Sequence, residues 1–456
     1  MLTKSRYAII SKEQYRDAEG RRCRLVYHTG TGRVSVLGRA AADALRDGDL
    51  DALPGPLTAH LRELEVLTDR TPEQERLEVV AHQRAKSDSR ESRVFVLVPT
   101  AYCNMGCDYC GQTHRKAPLT GDHRGRVGER VTAAMRQPET SHVQVRWFGG
   151  EPMMAFAVLR SMSATFVEEA ERTGCLYSAT LTTNGTLLTM RKLRQLHHEY
   201  AVGEVCITLD GPEEVHDTHR PLKSGLPSYR RILAFLKELR AAADEFPKLS
   251  MILRVNVDAR NRHTVPRLLE ELAAAGMDHP MFRLELHGVY AWSNDVSGIR
   301  LGPDELADDE VGWIRHAVEL GLDHAVLPRA RAGRICPAVS RSEEVLSSTG
   351  NVFSCTEHPL VDEHERNDAV STVVALPTPT LRPAGRYDNW HDRLAAAELP
   401  CGNCELLPVC GGSCPKHWEE GDPPCPPLKR NTQQRMDLVA HLNGLTPAGA
   451  ALEPVA

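Results

Sequence analysis

Six apolar runs punctuate the middle of the chain, at 94–98, 143–148, 178–182, 204–209, 250–257 and 281–286. Helical periodicity fills several of the intervals, as at 156–172, 228–243 and 265–275. Short apolar runs read as strands covered on both faces. Apolar positions recurring every three to four residues read as helices with one buried stripe. Strand and helix in alternation predict parallel βαβ units with right-handed crossovers. The expected fold class is therefore α/β, a partial (β/α)6 TIM-type barrel over 91–325. Such barrels place their sites on the loops after the C-terminal ends of the strands. In the fifth run Arg254 and Asn256 alternate with apolar neighbours, so both should point into the barrel.

The flanking segments read differently. Residues 24–37 pattern as a hairpin turning at Thr-Gly-Thr-Gly, followed by helices expected at 39–46, 60–67 and from Pro72 to about 86. This makes 1–90 a small α+β domain, closed by the polar linker 87–92. A helix is expected at 303–321. Residues 326–440 are cysteine-rich, with an irregular proline- and threonine-rich stretch at 362–387, and 441–456 reads as a flexible tail.

Composition narrows the class. The chain has 456 residues, enough for two or three domains, with 25% charged and 41% hydrophobic residues. Its net charge of −6 and lack of a basic block give nucleic-acid binding no electrostatic support. No apolar run reaches membrane-spanning length, and the first residues lack a signal-peptide pattern, so a cytoplasmic protein is expected. In that compartment clustered thiols read as metal ligands. Of 13 cysteines, Cys23, Cys175 and Cys206 stand alone, and Cys206, in an apolar run, is expected to be a buried core thiol.

After the first run comes Cys103-Asn-Met-Gly-Cys107-Asp-Tyr-Cys110. Three thiolates can hold three irons of a 4Fe–4S cube and leave the fourth open to a small molecule. Zinc, which usually takes four ligands, is the competing reading of the triad alone. The C-x3-C-x2-C spacing, with Asn104 after the first cysteine and Tyr109 before the third, closely resembles the radical S-adenosylmethionine (SAM) enzymes. The resemblance implies that SAM chelates the open iron through its amino and carboxylate groups.

Three later loops carry the same resemblance. Gly149-Gly150-Glu151-Pro152 follows the second run; glycines admit close backbone approach, and the family element implies a hold on the SAM amino group. Asn184 lies in Thr-Asn-Gly-Thr-Leu-Leu after the third run. After the fourth run, Thr208-Leu-Asp-Gly-Pro leads to His216-Asp-Thr-His-Arg220. That stretch is similar to peptide-modifying radical SAM enzymes, which implies that Thr208 and Arg220 bind the SAM carboxylate. For Arg220, an exposed surface charge is the plain alternative.

The C-terminal field runs Cys336-x13-Gly350-x4-Cys355, then Cys401-x2-Cys404-x5-Cys410-x3-Cys414-x10-Cys425. It strongly resembles the SPASM domain, which holds two auxiliary 4Fe–4S clusters. By that analogy Cys336, Cys355 and Cys414 ligate the first, and Cys401, Cys404, Cys410 and Cys425 the second. The first would then have three protein thiolates and either an open iron or a non-cysteine ligand.

The resemblance implies three 4Fe–4S clusters and SAM, reductive SAM cleavage, a precursor-peptide substrate, and an electron donor of flavodoxin or ferredoxin type. The expected activity is oxidative modification of a ribosomally made peptide, as a thioether or carbon–carbon cross-link, with 1–90 as a candidate leader-recognition unit. A formylglycine-forming oxidase like the anaerobic sulfatase maturases is placed behind it. The stretch before Cys336, 327–335, is basic and has no carboxylate, and its arginines could meet an acidic peptide. A non-catalytic zinc scaffold is the alternative of another class.

Overall fold

The computed structural model describes residues 2–116 and 118–449, which divide into two compact units. One comprises 88–324 with 336–388. The other comprises 1–87, 325–335 and 389–456.

The first unit is built on the six expected parallel strands: β1 (Ser92–Leu97), β2 (His142–Trp147), β3 (Leu176–Thr183), β4 (Val202–Thr208), β5 (Ser250–Val257) and β6 (Phe282–Gly288). They pair in consecutive order from β6 to β1. A further strand, β7 (Glu343–Leu346), adds in parallel beside β1. It is followed by the antiparallel strands β8 (Asn351–Phe353) and β9 (Ser371–Thr372). The expected helices lie at Phe156–Thr173, Tyr229–Ala241, Val265–Ala274 and Pro303–Glu319. A helix at Gly121–Met135, with no clear periodicity in the sequence, fills the crossover from β1 to β2.

Alternation along the strands sorts two faces. Val143, Val145, Val205, Ile207, Leu253 and Val255 join the apolar core with the helices. The opposite set includes Arg146, Thr182, Cys206, Arg254, Asn256, Glu285 and His287, none of them fully buried. Cys206 is therefore not a core thiol: it shares the face of Thr208, two residues on.

A buried triad ties β7 to β1. Glu344, fully buried, accepts from Arg93 Nη2 at 2.6 Å and from Arg130 Nε at 2.5 Å. β7 is buried at every residue, so an apolar pattern alone would not set its register; the buried ion pairs do.

The second unit draws together segments distant in sequence. Its central strand, Arg22–His28, pairs with Arg33–Gly38 on one side and with Ala8–Ile10 and Tyr15–Arg16 on the other. Leu25 and Tyr27 pack with Leu406, Leu428 and Met436, while Val26 faces Leu37, Ala42 and Leu45. The hairpin and the helices Arg39–Asp47 and Pro72–Asp88 match expectation, but the helix expected at 60–67 lies at Gly55–Glu63, and Leu67–Thr68 pairs as a strand with Thr3–Lys4. Pro56, in the first turn of that helix, suits the earlier start. The expected tail is corrected in part. A helix runs to Leu442, and Thr446–Pro447 pairs with Tyr15–Arg16; residues 450–456 lie outside the described residues. Among the described residues no helix is long and apolar enough to cross a membrane.

Candidate active site

The loops after the strands converge on a cavity of about 230 Å³. It is lined by Cys103, Cys107, Cys110, Tyr109, Gly149, Gly150, Asn184, Thr208 and Arg220, and by Arg254 and Asn256 from β5. Nine of the expected site residues therefore meet in one place, although 117 positions separate the first from the last.

The cysteine loop is held by its own backbone. Gly106 N donates to Pro221 O at 2.9 Å, Asp108 N to His219 O at 3.2 Å, and Lys223 N to Asn104 O at 2.8 Å. Asn184 Nδ2 reaches Asn104 Oδ1 at 2.8 Å and Cys103 Sγ at 3.8 Å, which joins the loop to the end of β3. Burial pushes the Cys107 thiol up to about 11. Such a thiol keeps its proton at neutral pH until a metal centre binds the sulfur and displaces the proton to solvent.

The two glycines serve packing as well as ligand approach. A Cβ at Gly150 would lie 2.6 Å from Tyr102 O, and one at Gly149 2.6 Å from Val98 Cγ1. Only glycine lets this loop lie against the cysteine loop. Glu151 is fully buried and does not line the cavity. Its carboxylate accepts from Met153 N (2.9 Å), Thr183 Oγ1 (2.7 Å) and Asn184 N (2.7 Å). Burial raises its carboxyl, against the pull of those donors. Glu151 clasps two site loops together, and Pro152 begins the following helical turn. What this element offers the cavity is the backbone of Gly149 and Gly150.

Arg220 is buried, not a surface charge. Its Nη1 donates to Tyr109 Oη at 2.6 Å and lies 3.6 Å from Asp210 Oδ2. Tyr109 donates to Asp210 at 2.5 Å and also accepts from Asn256 Nδ2 at 3.0 Å. The Asp210 carboxylate takes a second hydrogen bond, from Asn256 N at 2.8 Å. Burial would lower the guanidinium's pKa, but Cys107, Tyr109 and Asp210 more than offset it, so Arg220 stays charged. Its Nε is buried without a hydrogen-bond partner among the described residues.

Sequence reasoning missed part of the wall: Phe148, Val289, Tyr290 and Trp292. Trp292 and Phe148 rings lie 6.3 Å apart, and a Cβ at Gly111 would strike Trp292 O at 2.0 Å. Their signal was positional, since 289–292 follow the sixth strand directly.

In the second unit Cys401, Cys404, Cys410 and Cys425 line one small cavity with Leu406, Leu407, Trp418 and Lys429. Burial pushes Cys401 up to about 11 and Cys410 up to about 12. Gly411 and Gly412 turn the chain after Cys410 at φ +64° and +85°. Cys414 belongs to this unit, whereas Cys336 and Cys355 belong to the barrel unit. The basic stretch 327–335 is engaged within its own unit: Arg331 bonds Gly30 O and reaches Glu65 at 3.1 Å.

The first cavity fits a SAM-bound 4Fe–4S cluster. Three thiols outside any disulfide line the same space as an arginine with an unmet buried donor. When bound, that pair supplies a 5′-deoxyadenosyl radical that takes hydrogen from an unactivated carbon.

Comparisons with known proteins agree. Residues 97–272 match the Radical SAM superfamily model. A serine-type anaerobic sulfatase-maturating enzyme of Klebsiella pneumoniae is 24% identical over 341 residues, covering 69% of this chain and 79% of that protein. A like-named enzyme of Bacteroides thetaiotaomicron is 23% identical over 350 residues, covering 70% and 81%. The solved structure of anSMEcpe with bound AdoMet superposes with a TM-score of 0.58 at 14% identity, over 77% of this chain and 98% of that one. Residues 97–272 are thus a radical SAM domain, and the protein that carries them is a radical SAM enzyme.

Proposed function

We propose that the protein modifies a peptide side chain oxidatively, using SAM bound at Cys103, Cys107 and Cys110. The observation that carries this reading is the convergence of the three thiols, the Gly149–Gly150 backbone, Thr208 and Arg220 on one cavity. In it Arg220 and Thr208, which line the same cavity, would hold a carboxylate, and the backbone of Gly149 and Gly150 would receive an amino group. Trp292 and Phe148 supply apolar wall against water. A peptide substrate is supported by the names of the relatives and by anSMEcpe, whose structure with AdoMet and the Kp18Cys peptide superposes at a TM-score of 0.56.

Two products are in view. A thioether or carbon–carbon cross-link on a ribosomal precursor is supported by the seven-cysteine field and by the hairpin of the N-terminal segment. Among the described residues its strand Arg33–Gly38 pairs only with Arg22–His28, which leaves its other edge for strand addition by a leader peptide. Formylglycine formation is favoured by the sulfatase-maturating names of the curated relatives. An auxiliary cluster on Cys401, Cys404, Cys410 and Cys425 would accept the electron left on the product. A flavodoxin or ferredoxin would supply the reducing electron.

The test is anaerobic reconstitution with iron, sulfide, SAM and dithionite, followed by mass spectrometry. Release of 5′-deoxyadenosine that is lost on alanine substitution of Cys103, Cys107 and Cys110 is expected. With candidate peptides, loss of two hydrogens with no product trapped by a hydrazine marks a cross-link; a hydrazine-reactive aldehyde, formed by loss of two hydrogens from serine or by loss of the cysteine sulfur, marks formylglycine. No 5′-deoxyadenosine from iron-loaded protein would end the reading.

A further inference from the structure

Among the residues lining the cavity of Cys401, Cys404, Cys410 and Cys425, Lys429 carries the only charge. It lies in the first turn of the helix Leu428–Leu442, and its Nζ is 3.6 Å from Cys425 Sγ. Apart from Ser413 the rest of the lining is apolar, glycine or thiol, with Leu406 and Leu407 buried and the Trp418 indole N–H spent on Gly412 O at 2.8 Å. A cation is thus built against one of the four sulfurs, in a lining that carries no other charged side chain.

We propose that Lys429 sets the reduction potential of the auxiliary 4Fe–4S cluster on these four cysteines, raising it so that the cluster serves as an electron acceptor. The inference rests on the reading that those four thiols hold a cluster. Four thiolates and a 4Fe–4S core carry net negative charge, and one-electron reduction adds one more. A neighbouring ammonium stabilises the reduced form over the oxidised form, and a hydrogen bond to a ligating sulfur acts in the same direction. No proton or bond is exchanged; the electron in the measurement comes from dithionite. Lys429 is a positioning residue for electrons and does not touch substrate.

The experiment uses the full chain, reconstituted anaerobically, with Cys103, Cys107 and Cys110 changed to alanine so that only auxiliary clusters contribute to the EPR signal. A further Cys401→Ala, Cys410→Ala version identifies the signal of this cluster. If removing those two cysteines changes neither iron content nor the spectrum, the ligand reading itself fails, and this inference with it. With the cluster identified, Lys429→Met is expected to move its midpoint potential to a lower value and Lys429→Arg to hold it near that of the parent. The gap between parent and Lys429→Met should shrink as salt rises, because the lysine is exposed to solvent. An unchanged midpoint in Lys429→Met at low ionic strength overturns the proposal. If Lys429→Met loses the cluster, Lys429→Gln decides by the same midpoint. Loss of the cluster in both makes Lys429 an assembly residue and likewise overturns the tuning role.

Discussion

Replacing Asp210 by asparagine probes the construction of the active site most directly. Asp210 is fully buried, takes bonds from Tyr109 Oη and Asn256 N, and faces the Arg220 guanidinium at 3.6 Å. At an effective dielectric of about 20 a pair at that separation attracts by about 5 kcal/mol. Desolvation offsets much of this in the intact pair, but removing one partner leaves a buried charge with no anion, at a cost of roughly 3–5 kcal/mol. Hydrogen bonding adds to the loss. Tyr109 Oη already accepts from Arg220 and Asn256, so an amide NH2 in place of a carboxylate oxygen would oppose the Tyr109 O–H donor to donor. Thermal unfolding of the full-length protein should therefore shift down by roughly 6–15 °C in Asp210→Asn. The double variant with Arg220→Met should cost less than the sum of the singles by roughly 2 kcal/mol or more, because it removes both charges together. An Asp210→Asn variant within about 1 kcal/mol of the parent in urea unfolding, or strict additivity in the cycle, would refute the reasoning.

Other perturbations have defined outcomes. Glu344→Gln leaves Arg93 and Arg130 sharing a buried neutral acceptor, so the barrel unit should lose roughly 3–5 kcal/mol; urea unfolding followed by tryptophan fluorescence measures it. Gly150→Ala places a Cβ against the Tyr102 carbonyl and must push the cysteine loop outward. SAM cleavage should drop at least roughly tenfold while unfolding shifts by only about 1–3 kcal/mol. Burial, and then Arg331, Arg70 and Lys4, holds His28 down at about 4, below the roughly 6.5 of an unfolded chain. The unfolded state therefore binds the proton first, and stability should fall by up to roughly 3 kcal/mol as pH drops from about 6.5 to 4, with no loss from this group above that window. His28→Asn should flatten that slope in urea titrations at stepped pH.

Periodicity and spacing alone determined the parallel α/β class, the positions of six strands along the chain and the grouping of the thiols, because each is written in short-range pattern. Alternation in one strand even aimed Arg254 and Asn256 correctly. Loop residues such as Thr208 and Arg220 were legible through motif spacing, and their meeting point followed from the rule that barrel loops gather at one end. The tertiary structure decided what no local pattern encodes. Glu151 became an internal clasp because donors from β3, 32 and 33 residues away, filled its carboxylate first. Arg220 became a buried, paired cation because Tyr109 and Asp210 converge on it from separate loops. The cysteine field, continuous in sequence, was divided between two units: β7 found hydrogen-bonding partners beside β1, while Leu406, Leu428 and Met436 found their apolar cover on the N-terminal sheet. Burial and long-range pairing are properties of the folded surface each segment meets, and that surface exists only once the chain has closed on itself.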